Sequence, residues 1–208
     1  MVTITKLKFL KKKQLCQVEL DNDEMLFLSL DLFIKFKLNI NKSLDEATLV
    51  KIKKEQRLID AKRSSLNYIS YKPRTEKQTR DKLFLLGFNS DEIEPCINFL
   101  KDFDYLNDEY FTESYIKDKM KWKPISKKKL IYDLMNKGVS KDIAEKYVNL
   151  FFSDEDDFNN AKKKVQKVSY KLKQKSEVEQ KKYIYNFLLR QGFKPDTIKE
   201  VVKEFYQI

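Results

Sequence analysis

Apolar residues recur along this chain with two different periods, and the change of period divides it. The run from Val2 to Phe9 alternates apolar with polar positions, and the run from Leu15 to Leu20 does so again. A polar turn, Asp21-Asn22-Asp23-Glu24, then leads into Met25-Leu26-Phe27-Leu28. Period two broken by a polar turn predicts a small antiparallel β-meander. A sheet of that size is marginal alone, so it is expected to pack on the helix that follows. One short helix is predicted over 31–38. Ser43-Leu44-Asp45-Glu46 has the form of a capping box opening a second helix, from 44 to about 54.

From residue 58 onward the stripe has helical period, and nine helices are predicted in three groups of three. They cover 58–70, 75–86 and 90–101, then 108–120, 126–135 and 140–151, then 154–172, 176–189 and 195–206. All three glycines of the chain fall at the same place in this scheme, in Leu86-Gly87-Phe88, Lys137-Gly138-Val139 and Gln191-Gly192-Phe193. Each follows an amphipathic stretch and precedes another: Ile93, Ile97 and Leu100; Ile143, Tyr147 and Leu150; Ile198, Val202 and Phe205. Glycine ends a helix cheaply because it enters the left-handed conformation without a Cβ clash. A second signal recurs upstream. Thr75 stands twelve positions before Gly87, Ser126 twelve before Gly138, and Ser176 sixteen before Gly192, which lengthens the third middle helix by about one turn. All three are natural N-caps, and Thr75/Gln78 and Ser176/Glu179 have capping-box spacing. The expected fold is mainly α: three tandem three-helix units (58–104, 105–152 and 153–208) forming an elongated stack, behind an N-terminal β-meander and helical extension (1–57).

Composition adds limits. Apolar content is 41% against 36% charged, which suits several small cores better than one thick one. The net charge of +11 points to an acidic partner such as nucleic acid, a nucleoprotein surface or an anionic membrane. Only five of the 43 basic residues are Arg, and the abundance of Lys, Asn and Ile is what coding bias also produces, so the charge carries moderate weight. With no histidine, the commonest general base and the commonest metal ligand are missing. Cys16 and Cys96 are eighty residues apart and form no metal-type spacing; they are read as reduced thiols, Cys96 as a packing residue. The most apolar stretch, from Met25 to Phe36, is short and broken by Asp31 and Lys35. No signal peptide and no membrane span are expected, and the chain is read as a cytoplasmic protein without a cofactor.

No catalytic constellation emerges: there is no phosphate loop, no nucleophile elbow, and no His base for a Ser or Cys nucleophile. Asp154-Glu155-Asp156-Asp157 lacks the glycine and the spacing of a calcium loop and reads as a helix N-terminus. Asp102, Asp104, Asp108 and Glu109 are the candidates for a metal-dependent nuclease, although capping accounts for the last two. The basic runs carry more. Lys117, Lys119, Lys121, Lys123, Lys127, Lys128 and Lys129 surround Trp122 with one acid among them, and Lys162, Lys163, Lys164, Lys167, Lys171, Lys173 and Lys175 have none. Both runs end at the joint between the first and second helices of a unit; the same joint in the first unit holds Lys72, Arg74, Lys77 and Arg80. Stacked units would line these joints along one side as a basic stripe, against the plainer reading of solvated lysine faces. Tyr71 and Trp122 occupy equivalent joint positions. Packing anchors between units are the ordinary reading of such aromatics, and stacking on bases is the alternative.

Tyr105-Leu106-Asn107-Asp108-Glu109-Tyr110-Phe111 resembles the Tyr-Leu-Asp-Asp-Glu-x-Phe signature of RecX proteins. Tyr71-Lys72-Pro73-Arg74-Thr75-Glu76-Lys77, with Arg80 and Leu83, is similar to that family's opening of a second helix, and Leu134-Met135-Asn136-Lys137-Gly138-Val139 to its Leu-x-x-Lys-Gly-Ile. The N-terminal meander and capped helix resemble the extension of many members from Gram-positive bacteria. The resemblance implies a modulator of RecA, the recombinase that forms filaments on single-stranded DNA. It implies an elongated stack of three-helix units lying in the filament groove, suppressing ATP hydrolysis, strand exchange and coprotease activity, with no catalytic residue; an extended monomer is the default expectation. The basic joints would face phosphate or acidic filament surface, with Tyr71, Trp122, Tyr105 and Phe111 as inter-unit packing or stacking residues. The partners implied are the RecA filament and single-stranded DNA, with duplex DNA as a further possibility, and no membrane. Two departures stand out: lysines at 127–129 where members often carry arginine, which removes bidentate phosphate forks, and longer first and middle helices in the third unit. The competing reading is a helix-turn-helix DNA-binding regulator, opposed by the carboxylates Asp91, Glu92, Glu94, Asp142 and Glu145 on the third helices.

Overall fold

The computed structural model describes residues 1–206 and divides into two compact bodies, one of Met1–Tyr71 with Thr79–Tyr105, the other of Lys72–Gln78 with Leu106 onward. The first begins with a four-stranded antiparallel sheet in the order β3-β2-β1-β4, formed by β1 (Val2–Leu10), β2 (Leu15–Leu20), β3 (Met25–Ser29) and β4 (Ser43–Leu44). The alternation is visible in burial: Ile4, Cys16, Val18, Leu20, Leu26 and Leu28 face a core closed by Leu38, Leu44, Leu49 and Ile52. Helix α1 (Leu30–Lys35) starts on Ser29, whose hydroxyl accepts the Leu32 N–H.

Two expectations for this region are corrected. Ser43 does not open a helix: it pairs with Thr3 in the sheet, and Asp45 is the N-cap, accepting the Thr48 N–H at 2.6 Å. The helix it caps does not end near 54 but runs unbroken as α2 (Glu46–Ser70), so the helices expected at 44–54 and 58–70 are one. No Gly or Pro interrupts it, and its buried stripe is continuous through Leu49, Ile52, Gln56, Ala61 and Ser65. Helix α3 (Glu76–Leu85) and α4 (Ser90–Asp102) complete the first three-helix unit, with Leu83, Ile93, Cys96, Ile97 and Leu100 buried.

The second body contains α5 (Asp108–Trp122), α6 (Lys127–Asn136) and α7 (Lys141–Phe151), closed on Ile116, Leu130, Leu134, Ala144, Val148 and Phe152. It continues with α8 (Asp154–Val168), α9 (Glu177–Arg190) and α10 (Pro195–Tyr206), closed on Ala161, Val165, Ile184, Leu188, Phe193 and Ile198. Helix α9 has 14 residues against ten in α3 and α6, as the spacing requires. Helix α8, however, is no longer than α5 at 15 residues; the expected extension to 172 is a 3-10 turn over Ser169–Lys171.

The glycine turns are one device used three times. Gly87, Gly138 and Gly192 have φ of +83°, +97° and +86°. The following N–H, of Phe88, Val139 or Phe193, reaches back 3.2 Å to the carbonyl of Leu83, Leu134 or Leu188. That six-to-one bond is the Schellman closure, which needs a left-handed residue at its centre.

Candidate functional site

Within the second body, two joints before a middle helix, at Thr75 and Ser126, dock on the glycine turn of the next three-helix unit. Thr75 Oγ1 accepts the Gln78 N–H as a cap and donates to the Lys137 carbonyl at 2.5 Å. Ser126 Oγ likewise accepts the Lys129 N–H and donates to the Gln191 carbonyl at 2.7 Å. Beside each bond a carboxylate takes the next backbone donor: Asp108 accepts from Glu76 N at 2.9 Å, and Asp157 from Lys127 N at 2.8 Å. Both hydroxyl-bearing residues are buried. One hydroxyl thus satisfies an orphan donor of its own helix and the last carbonyl of another, and the repetition fixes the joints with backbone precision.

Fixed in this way, residues 72–78 form a wall of a groove of about 390 Å³ in the second body. Lys72, Pro73 and Arg74 line it from the loop, Lys119, Trp122 and Lys123 from the end of α5, and Lys137 from the Gly138 turn. Asp118 is its one carboxylate. A second groove of about 400 Å³ shares Lys119, Trp122 and Lys123 with the first. Lys164 and Lys167 of α8 complete it, and Asp133 is its single acid.

Trp122 lines both grooves and is 74% exposed. Tyr71, its counterpart at the first joint, is 86% exposed. Neither is a buried packing anchor. Phe111 is buried in the core of its unit, and Tyr105 stacks on Phe103 with ring centroids 6.0 Å apart. Lys121 Nζ lies 5.4 Å from the Trp122 ring, and Lys119 and Lys137 sit over Tyr115 at 5.2 and 5.3 Å. Burial pushes the Tyr115 phenol up to about 12, with the Asp133 carboxylate adding to the shift and Lys129 opposing it. Tyr115 is therefore a neutral, half-buried floor for the first groove. Lys164 donates to Gln191 Oε1 at 2.9 Å, and its ammonium is pushed below the usual lysine range by burial first, then by Lys167 and Lys123.

The other basic candidates separate by what they touch. Arg80 forms a two-pronged pair with Glu94 in the first body. Lys117 pairs with Glu113, Lys162 with Glu204, Lys127 with Asp154 and Lys129 with Asp133. Lys77 packs its stem over Gly138. Lys128, Lys163, Lys171, Lys173 and Lys175 are exposed, Lys171 beside Tyr170. Sequence reasoning missed Lys137, whose place on the groove follows from the docking of the Gly138 turn. It also missed a third basic groove, of about 480 Å³, between α9 and α10, where Lys181, Lys182, Lys199 and Lys203 surround Tyr185 and Val202.

Several of the acidic candidates are used in the fold. Asp156 completes a capping box with Ser153, and Asp157 is the buried joint acceptor. Glu109 pairs with Lys146 and accepts the Tyr147 hydroxyl at 3.0 Å. Among the described residues no group of three His, Cys, Asp or Glu side chains is placed to hold a metal. Among them, too, no helix is long and apolar enough to cross a membrane.

Comparison with known proteins gives one consistent result. Residues 61–100 match the model of the RecX first three-helix domain, and residues 107–147 that of the RecX second three-helix domain. Regulatory protein RecX of Clostridium botulinum (strain Alaska E43 / Type E3) is 33% identical, over 98% of this chain and 96% of its own. Its counterpart in Clostridium perfringens (strain 13 / Type A) is 34% identical, over 93% and 92%. The crystal structure of RecX from Lactobacillus salivarius superposes with a TM-score of 0.66 at 30% identity, covering 73% of this chain and 98% of that one. A second crystal structure of a regulatory protein RecX covers 98% of this chain and 100% of its own with a TM-score of 0.76; at 22% identity it speaks for the fold.

Proposed function

We propose that this chain, which belongs to the RecX family of regulatory proteins, acts in the cytoplasm on the filament that RecA forms on single-stranded DNA. It inhibits the filament's ATP hydrolysis, strand exchange and coprotease activities. The chain is a regulator and not an enzyme, so inhibition has to come from binding. The observation that carries the reading is the pair of lysine-lined grooves that share Trp122, on a body in which the Thr75 and Ser126 joints are held by hydroxyl–carbonyl bonds. Such a surface supplies electrostatic attraction to phosphate or to acidic filament surface, and several modest contacts to a repeating target add through effective concentration.

The test is single-stranded-DNA-dependent ATP hydrolysis by the cognate RecA, titrated with this protein. Inhibition at substoichiometric ratios, without matching competition for bare DNA, is the expected result. No effect, or inhibition that only tracks coating of the DNA, would leave a general helical DNA-binding protein in place of a filament regulator.

A further inference from the structure

We propose that Trp122 is the stacking platform of a single-stranded nucleic-acid subsite, with one base on the indole and the neighbouring phosphates in the two grooves it lines. The proposal deepens the filament reading, on which it rests for its biological setting, by naming what the basic grooves take.

Three observations converge on it. An indole left 74% exposed forgoes the burial that ordinarily stabilises a fold through tryptophan, so its apolar face is available to a partner. The same residue lines both grooves, the first of which carries Lys72, Arg74 and Lys137 and the second Lys164 and Lys167. Cations in two grooves that share one exposed aromatic match a nucleotide strand, in which a flat apolar base lies between successive phosphates. Lastly, Lys164 is held half-buried by its bond to Gln191 while facing the like charges of Lys123 and Lys167. An anion in that groove would relieve the repulsion.

The chemistry selects a single strand. Duplex DNA presents base edges in its grooves and keeps base faces stacked within the helix, whereas an unpaired base offers the face that an indole accepts. Lysine point charges hold phosphate without fixing base identity, so the subsite is expected to tolerate many sequences. An acidic protein surface would satisfy the lysines but has no use for the ring, and the experiment separates the two.

Trp122 is the only tryptophan of the chain, so the intrinsic fluorescence of the whole protein reports this one ring. The protein, without RecA, is titrated with an oligothymidylate, with an abasic deoxyribose-phosphate oligomer of the same length, and with polyglutamate. Oligothymidylate is expected to quench the emission, while the abasic oligomer binds with little quenching. Trp122→Ala, at an exposed position and followed by the fluorescence anisotropy of dye-labelled oligomers because the variant has no tryptophan, is expected to weaken oligothymidylate binding about fivefold to 150-fold and to leave abasic binding unchanged. Replacing Lys123 and Lys167 with Gln should weaken both oligomers and flatten the salt dependence, by about 0.7 in log–log slope for each phosphate no longer neutralised. Binding of oligothymidylate without quenching, or with undiminished affinity in the Trp122→Ala protein, overturns the proposal. Equal quenching by polyglutamate overturns it in favour of an acidic protein partner. The RecA hydrolysis assay is a separate readout, so the stacking subsite and the filament reading fail independently.

Discussion

Alanine at each of the three glycines forms a graded series, because the backbone requirement is shared and the surroundings are not. All three residues have φ between +83° and +97°, where a side chain costs about 1–2 kcal/mol. At Gly87 a Cβ would meet nothing within 4 Å, so Gly87→Ala should lose only that amount. At Gly192 the Cβ would stand 2.9 Å from Ser126 Oγ, the hydroxyl that donates to the Gln191 carbonyl. Displacing it adds about 1 kcal/mol. At Gly138 the Cβ would fall on the Lys77 Cβ and 2.8 Å from its Cδ. The Lys77 Cβ is anchored to backbone, so the 75–78 turn has to withdraw. Overpacking of that kind costs about 1–3 kcal/mol, and it strains the Thr75–Lys137 and Glu76–Asp108 bonds. The expected totals are about 1–2 kcal/mol for Gly87→Ala, about 2–3 for Gly192→Ala and about 2–5 for Gly138→Ala. Urea unfolding checks them, followed by far-UV circular dichroism for all three and by Trp122 emission for the second body. Because residues 72–74 wall the first groove, Gly138→Ala should also weaken oligonucleotide binding where Gly87→Ala does not. A Gly138→Ala protein as stable as Gly87→Ala would refute the docking argument.

The buried acceptor Asp157 and the Arg57–Glu92 pair give two further predictions. Burial raises the Asp157 carboxyl above its usual range, and that effect outweighs the Lys127 N–H it accepts. Asp157→Asn keeps the acceptor and removes the charge, so it should match or exceed wild-type stability at neutral pH. Asp157→Ala should lose about 1–3 kcal/mol by orphaning the N–H; equal losses in urea unfolding would refute this. The raised folded value also means that the wild type gains stability as pH falls through it, a gain the Asn protein lacks. In the first body, Arg57 donates Nη2 to Glu92 Oε2 at 2.8 Å and to the Gly87 carbonyl at 2.7 Å, with the Glu92 side chain 6% exposed. Arg57 holds the Glu92 carboxyl below the usual range. Its contribution is therefore complete above the ordinary glutamate value, about 4.3, and fades as pH drops through the lowered folded value. Arg57→Ala should cost about 1–2 kcal/mol at neutral pH after allowance for the exposed guanidinium. Chemical unfolding across pH should show that deficit shrinking in acid; a deficit independent of pH would refute it.

What the sequence disclosed and what it concealed follow the range of the interactions. The glycine turns, the caps at Ser126 and Ser176 and the longer α9 are set within a few neighbouring residues, and all are legible from spacing. The role of Ser43 is hidden from a local reading because its partner in the sheet, Thr3, lies forty residues away. The lysine runs divide in the same manner. The pairs Lys117–Glu113 and Lys129–Asp133 are one helical turn apart and readable, whereas Lys162–Glu204, Lys127–Asp154 and Arg80–Glu94 depend on the fold. Charge density alone therefore names more lysines than the grooves use, and it passes over Lys137.

The three N-cap hydroxyls show how a local residue decides a long-range contact. In each, the oxygen caps its own helix, and the proton needs another acceptor. Gln78 spends its carbonyl oxygen on the Thr75 N–H, and Lys129 has no acceptor, so the Thr75 and Ser126 protons go to the carbonyls of Lys137 and Gln191. At Ser176 the third residue of the helix is Glu179, whose carboxylate takes both the Ser176 N–H at 2.9 Å and its hydroxyl proton at 2.8 Å. A charged acceptor in the same turn outcompetes a distant carbonyl. At the third joint the residue three beyond the cap thus supplies the acceptor itself, and the hydroxyl is satisfied within its own turn.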